Sequence, residues 1–138
     1  MHMKRLFDCL DHQLAHFPKQ DMLAAKEKGV WKTYSTTAVA STVDALSAGL
    51  LSLGVSGHGF TPASSDKIAI MSSNRPEWVF TDLACQQIGA ILVPLYPTTN
   101  PIEVEFILND AAVGYIFVSN LELYEKVKAV ASKVPSIK

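Results

Sequence analysis

Apolar residues recur at helical spacing in the opening segment, where Leu6, Phe7, Leu10 and Leu14 predict a helix over Lys4–His16. Pro18 stops it. Two short runs, Met22–Lys26 and Val30–Tyr34, flank Lys28-Gly29 and predict a β-hairpin, with Trp31 and Tyr34 as strand-forming aromatics. Ser35 or Thr36 is then placed to cap a long helix. In it Val39, Val43, Leu46, Leu50 and Leu53 make one apolar stripe, and Gly54 is its C-terminal stop. The stretch Ser56–Ser65 is rich in Gly, Ser and Pro and reads as a loop.

Three nearly continuous apolar runs follow, Lys67–Met71, Ala90–Leu95 and Tyr115–Val118, and each leads into a helical pattern. The first helix opens on Asn74-Arg75-Pro76-Glu77, where Asn74 is expected as the cap and Glu77 as its reciprocal acceptor. Trp78 is expected as a core anchor, with Phe80, Leu83, Ala84 and Ile88 facing the core. The second opens on Asn100-Pro101-Ile102-Glu103, the same device with Pro at the first helical position, and runs on through Phe106, Ile107 and Ala111. The third spans about Leu121–Ser132. Strands that are apolar on both faces suit parallel pairing under helices. The expected fold is α/β, a Rossmann-like layered sheet of about three parallel strands with helices on both faces, preceded by a helix and a hairpin. The chain divides into an N-terminal helix (1–18), a hairpin (19–35) and repeated helix/strand layers (36–138), all within a single domain.

Composition narrows the class. Of the 138 residues 49% are hydrophobic and 18% charged, which excludes disorder for the chain as a whole. The net charge is −1 and the 12 basic residues are scattered, so nothing builds the basic stripe of a nucleic-acid binder. Cys9 and Cys85 are far apart, which fits a reducing compartment better than a disulfide scaffold. The N-terminus lacks the apolar run of a signal peptide, and no stretch approaches the ~20 apolar residues of a membrane span. The expected setting is the cytoplasm.

Several candidate motifs fail on their own chemistry. His12 and His16 are four apart on a helix, but Gln13 stands where a zinc protease places its glutamate. Gly54, Gly57 and Gly59 follow a helix instead of a strand, so they do not make a dinucleotide loop. Neither a P-loop nor a nucleophile elbow occurs. Ser72-Ser73-Asn74 and Pro97-Thr98-Thr99-Asn100 lie where strands meet helix N-termini, a place suited to anions, but simple helix capping is the favoured reading of both. Cys85, between Ala84 and Ile88, reads as a buried small residue.

From Trp31 onward the chain resembles the start of the adenylate-forming enzymes, and most of all the long-chain acyl-CoA synthetases. The resemblance rests on Trp31, Thr33 and Tyr34 before a long helix, then Leu50–Val55, and Ser65-Asp66-Lys67-Ile68-Ala69-Ile70 for the family's Gly-Asp-x-Val-Ala-Ile. Ser73–Trp78 matches its Asn-x-Pro-Glu-Trp, and Gly89–Thr98 carries the Leu-Tyr-Pro-Thr form of the long-chain branch. Glu103–Asp110 and Tyr115–Val118 continue the match. Two departures are Ser65 in place of Gly and a longer Ser56–Ser65 loop.

The resemblance implies a two-step ligase that uses ATP, Mg²⁺ and coenzyme A, with long-chain fatty acid favoured over aryl or short acids. The family's phosphate loop, Thr-Ser-Gly-Thr-Thr-Gly-x-Pro-Lys-Gly, and its Tyr-Gly-x-Thr-Glu motif do not occur in this sequence. The chain therefore looks like a single N-terminal subdomain, 1–138, of a larger ligase. It has no catalytic residue of its own and is expected neither to turn over alone nor to bind those ligands tightly. By family analogy Tyr96, Pro97, Thr98 and Thr99 line the coenzyme A tunnel. Trp31, Tyr34, Asp66, Asn74, Pro76, Glu77, Trp78, Gly89 and Pro94 are motif residues with structural roles, and no metal ligand is implied. The implied partners are the rest of the ligase chain, a second copy in a homodimer, and a membrane surface touched peripherally by the parent. The other reading is a stand-alone Rossmann-like binding or dimerisation module without activity. Under the fragment reading, an exposed apolar patch or a self-associated interface is expected.

Overall fold

The computed structural model describes residues 4–138. In chain order the elements are α1 (Asp8–His16), β1 (Leu23–Glu27), β2 (Val30–Tyr34), α2 (Thr36–Ser52), β3 (Lys67–Met71), α3 (Pro76–Ile88), β4 (Ile91–Leu95), α4 (Pro101–Asp110), β5 (Tyr115–Val118) and α5 (Leu121–Ala131). They form two compact units. One holds the described residues up to Val55 together with Arg75–Ile88, and the other holds Ser56–Asn74 with Gly89–Lys138. The first three residues of the expected 1–18 segment lie outside the described residues.

In the first unit the helix begins later than the periodicity predicts. Asp8 Oδ2 accepts the amides of Lys4 and Arg5, both at 3.0 Å. Arg5 Nε and Nη2 close on Oδ1 at 3.0 and 2.7 Å. This side chain captures the entry amides, so residues 5–7 form a turn and α1 starts at Asp8. Leu6, part of the apolar repeat, is 76% exposed. The hairpin has the expected register, Glu27 opposite Val30 and Leu23 opposite Tyr34. Lys28 and Gly29 both have positive φ, +49° and +85°, as a tight two-residue turn requires.

α2 is capped by Ser35, whose Oγ accepts the Ala38 amide at 3.1 Å. Buried Thr36 fixes the approach, because Lys19 N donates to its Oγ1 at 2.9 Å and its own amide returns to Lys19 O at 2.9 Å. Val39, Val43 and Leu50 are buried, Leu46 is half-buried, and Leu53 is exposed because it is already the C-cap, outside the helix. The end is a Schellman motif: Val55 N donates to Leu50 O, Gly54 N to Leu51 O, and Gly54 has φ +81°. α2 packs on α3, where Ser47 Oγ donates to Gln87 Oε1 at 2.6 Å and Gln87 Nε2 to Asp44 Oδ1 at 3.1 Å.

α3 corrects two expectations. The Glu77 carboxylate is engaged by the Arg75 guanidinium at 2.7 and 2.9 Å, so it does not serve as the reciprocal acceptor for a cap at Asn74. Trp78 is half-buried, and so is Leu83. The fully buried positions are Pro76, Phe80, Thr81, Ala84, Cys85 and Ile88.

The second unit is a parallel sheet with strand order β4-β3-β5. Central β3 is buried on both faces, from Ile68 to Met71. Ala69, Met71 and Leu95 meet Val104 and Leu108 of α4 and Leu123, Val127 and Val130 of α5 in one core, closed by Val113 and Val134. Ile68 and Ile70 alternate to the other face and are buried there. β4 is an edge strand that contains Pro94, paired with Ile70. Ile91 N donates toward β3, to Asp66 O at 2.8 Å. Alternation then turns the nitrogen of Pro94 away from the ladder, where no donor is needed.

Both α4 and α5 are capped by asparagines. Asn100 Oδ1 accepts the Glu103 amide at 3.0 Å, and Asn120 Oδ1 accepts the Leu123 amide at 2.9 Å. α4 leaves Ile102 and Phe106 81% and 67% exposed, four residues apart on one face.

Candidate functional site at the carboxyl end of the sheet

In parallel sheets, ligand-binding groups collect on the loops that leave the carboxyl ends of the strands. In the second unit those loops are Ser72–Asn74 after β3, Tyr96–Asn100 after β4 and Ser119–Asn120 after β5. The ends of β3 and β5 are adjacent, with Ser119 N donating to Met71 O at 3.3 Å. Ser72 Oγ donates its proton to Ser73 O at 2.8 Å.

The loop after β4 is a tight turn closed by Thr99 N donating to Tyr96 O at 3.0 Å, with Pro97 pre-setting its first central position. Asn100 then starts α4 as its cap. Tyr96 is 80% exposed and Thr98 is exposed, while Pro97 and Thr99 are half-buried. From α5, Lys126 reaches the turn and donates through Nζ to Pro97 O at 2.6 Å and Thr99 O at 3.2 Å. Sequence reasoning missed Lys126, since a lysine on an amphipathic helix reads as a solvated side chain. The turn therefore presents a phenol and a hydroxyl outward on a backbone braced from behind by an ammonium. These groups suit orienting a polar, uncharged chain; they do not form a nucleophile–base pair.

The other motif residues are not gathered here. Asn74 follows β3, but Asp66 and Gly89 lie at the opposite, amino ends of β3 and β4, and Pro94 lies within β4. Trp31, Tyr34, Pro76, Glu77 and Trp78 belong to the first unit. There Trp31 is exposed, and Tyr34 meets Phe80 edge-on with centroids 5.5 Å apart.

Asp66 organises the long loop before β3. Its Oδ2 accepts the Ser56 amide at 2.9 Å and pairs with His58 Nε2 at 2.7 Å. Burial raises the carboxyl's pKa, but the Ser56 amide and His58 outweigh it, so the group sits below the usual carboxylate value. Ser65 is buried and donates through Oγ to Gly57 O at 3.0 Å, tying the two ends of the Ser56–Ser65 loop together. His12 and His16 have ring centroids 4.6 Å apart, and among the described residues no group of three or more His, Cys, Asp or Glu gathers to hold a metal ion. No helix among the described residues is long and apolar enough to cross a membrane.

The fold is that of the acyl-CoA ligases. It superposes on the anthranilate CoA ligase AuaEII, solved with anthranoyl-AMP, with a TM-score of 0.79 at 19% identity, covering 97% of this chain and 24% of that one. It also superposes on a putative long-chain-fatty-acid CoA ligase from Rhodopseudomonas palustris with a TM-score of 0.78 at 27% identity, covering 99% of this chain and 32% of that one. Residues 10–138 match the AMP-binding enzyme family, and the chain belongs to it. Among its relatives, the Mycobacterium bovis long-chain-fatty-acid–CoA ligase FadD15 is 29% identical over 80% of this chain. The peroxisomal long chain acyl-CoA synthetase 6 of Arabidopsis thaliana is 37% identical over 78% of it. The chain spans only 17% and 14% of those two proteins. Family membership does not favour the stand-alone module.

Proposed function

We propose that the chain is the N-terminal portion of an ATP-dependent acyl-CoA ligase whose acid substrate is a long-chain fatty acid. The supporting observation is the 37% identity to the Arabidopsis long chain acyl-CoA synthetase over 78% of the chain. In the first step a carboxylate oxygen attacks the α-phosphorus of ATP, the bond to the bridging oxygen of the β-phosphate breaks, and pyrophosphate leaves an acyl-adenylate. In the second the coenzyme A thiol gives up its proton to solvent and attacks the acyl carbon. A C–S bond forms, the bond to the adenylate oxygen breaks, and AMP departs. Mg²⁺, when bound, would supply charge neutralisation on the phosphates. Among the described residues no group of three or more His, Cys, Asp or Glu gathers to hold it.

The share of this chain is positional. The pantetheine arm of coenzyme A is uncharged and carries two amides, and the exposed phenol of Tyr96 and hydroxyl of Thr98 offer them hydrogen-bond partners. A pre-formed turn lowers the entropy of placing the thiol. Trp31, Tyr34, Asp66, Asn74, Pro76, Glu77, Trp78, Gly89 and Pro94 serve the scaffold.

The test is ATP–pyrophosphate exchange. The 138-residue chain is expected to give none with palmitate. A full-length ligase carrying it is expected to give palmitate-dependent exchange, and palmitoyl-CoA once coenzyme A is added. A full-length protein that adenylates no acid in a panel of short, aryl and long-chain carboxylates overturns the proposal. Preference for an aryl or short acid overturns the chain-length assignment alone.

A further inference from the structure

We propose that Lys126 is a positioning residue for the thiol-transfer half of the reaction, acting through the turn that it braces. The inference rests on the reading of Tyr96–Thr99 as a wall of the pantetheine path. Lys126 Nζ donates to Pro97 O at 2.6 Å and to Thr99 O at 3.2 Å. The two carbonyls belong to the peptides 97–98 and 99–100, which lie on either side of the Thr98–Thr99 peptide. Fixing both limits how the Thr98 hydroxyl and the adjoining Tyr96 phenol can project. Both bonds have a charged donor, and the one to Pro97 O is short, as charge assistance favours.

The brace has a rigid footing. α5 is anchored by Leu123, Val127 and Val130, all buried in the sheet's core, and its N-terminus is capped by Asn120. On the far side of the turn, α4 is anchored by Val104 and Leu108 and capped by Asn100. The turn is thus strung between β4 and α4 and held from a third element. If Lys126 merely shielded apolar surface with its stem, the ammonium would reach for solvent; instead it is turned onto two backbone acceptors. Removing it leaves two half-buried carbonyls to find water, and the peptides around Thr98 are free to rotate.

The experiment has two arms. In the full-length ligase, Lys126→Met is compared with Lys126→Arg by amide hydrogen exchange. The Met variant is expected to speed exchange of the Thr99 amide about tenfold, with the buried amides of α5 changed by less than about twofold and Arg restoring most of the protection. In the full-length ligase, Lys126→Met is expected to raise the KM for coenzyme A about tenfold while palmitate-dependent ATP–pyrophosphate exchange stays within about twofold, and Arg is expected to recover most of the loss.

Equal loss in both half-reactions marks a general structural role and overturns the inference. So does an unchanged KM for coenzyme A in Lys126→Met when Tyr96→Ala or Thr98→Val raises it. If neither Tyr96→Ala nor Thr98→Val alters that KM, the turn is off the pantetheine path, and the reading beneath the inference fails with it.

Discussion

The Phe60 ring fills the space that a side chain at Gly89 would need. A Cβ built on Gly89 lies 2.5 Å from Phe60 Cε1, and one built on Gly57 lies 2.7 Å from Phe60 Cδ1. Gly89 also has φ +74°. Gly89→Ala is therefore expected to destabilise the chain by about 1–2 kcal/mol, mostly from the left-handed backbone and in smaller part from displacing the Phe60 ring, which is 80% exposed and can swing aside. Adding Phe60→Ala removes the steric part alone, so the double variant should regain stability without reaching the wild type. Urea midpoints of the four proteins decide it, and strict additivity of the two changes would refute the steric account.

Ala112 occupies a position that glycine normally takes. α4 ends in a Schellman motif, with Val113 N donating to Leu108 O and Ala112 N to Asn109 O, both at 3.0 Å, and Ala112 sits at φ +51°. Ala112→Gly should relieve the strain of a Cβ in the left-handed region and stabilise the chain by about 0.5–1 kcal/mol. An unchanged or lower urea midpoint counts against it. At the end of α2 the same motif holds Gly54, so Gly54→Ala should move stability the other way.

Acid should weaken the entry to α1. Hydrogen bonds from the Arg5 guanidinium and the Lys4 amide hold the Asp8 carboxyl down at about 2, against an ordinary value of 3.8. Because the folded pKa lies below the unfolded one, the unfolded chain takes up the proton first. The stabilisation is complete above pH 3.8 and is lost as pH falls toward about 2. Asp66 adds to the acid loss in the same direction. Melting temperatures followed from pH 5 to pH 2 should fall less steeply in Asp8→Asn than in the wild type.

The two cysteines should separate cleanly under alkylation. Cys9 is exposed, whereas burial, with Asp82 nearby, pushes the Cys85 thiol up to about 12. Native protein treated with iodoacetamide near pH 8 should add one label, at Cys9, and denatured protein two. Labelling of Cys85 in the native chain would show that α3 opens far more readily than its burial implies.

Elements with a strong period and clear punctuation were legible in the sequence. The hairpin at Lys28-Gly29, the Ser35 cap, the Gly54 stop and the three parallel strands all follow from local chemistry. What escaped is side-chain traffic that periodicity does not encode. Asp8 turns back onto two amides and delays a helix, Arg75 takes the Glu77 carboxylate from its expected capping role, and α4 stops at Ala112 with no glycine to announce it. At the site, the Tyr96–Thr99 turn could be placed from its proline and its position after a strand. Lys126 could not, because its partners are backbone carbonyls 27 and 29 residues away.

Pro94 has a consequence for the exposed flank of β4. Alternation sends the nitrogens of Leu92 and Pro94 outward, and only Leu92 carries a hydrogen there. A second copy laid against this flank finds every other rung of the ladder without a donor, while inside the sheet β4 loses nothing. The residue thus leaves that flank of β4 a poorer template for strand addition than the paired flank, at no cost to the sheet itself.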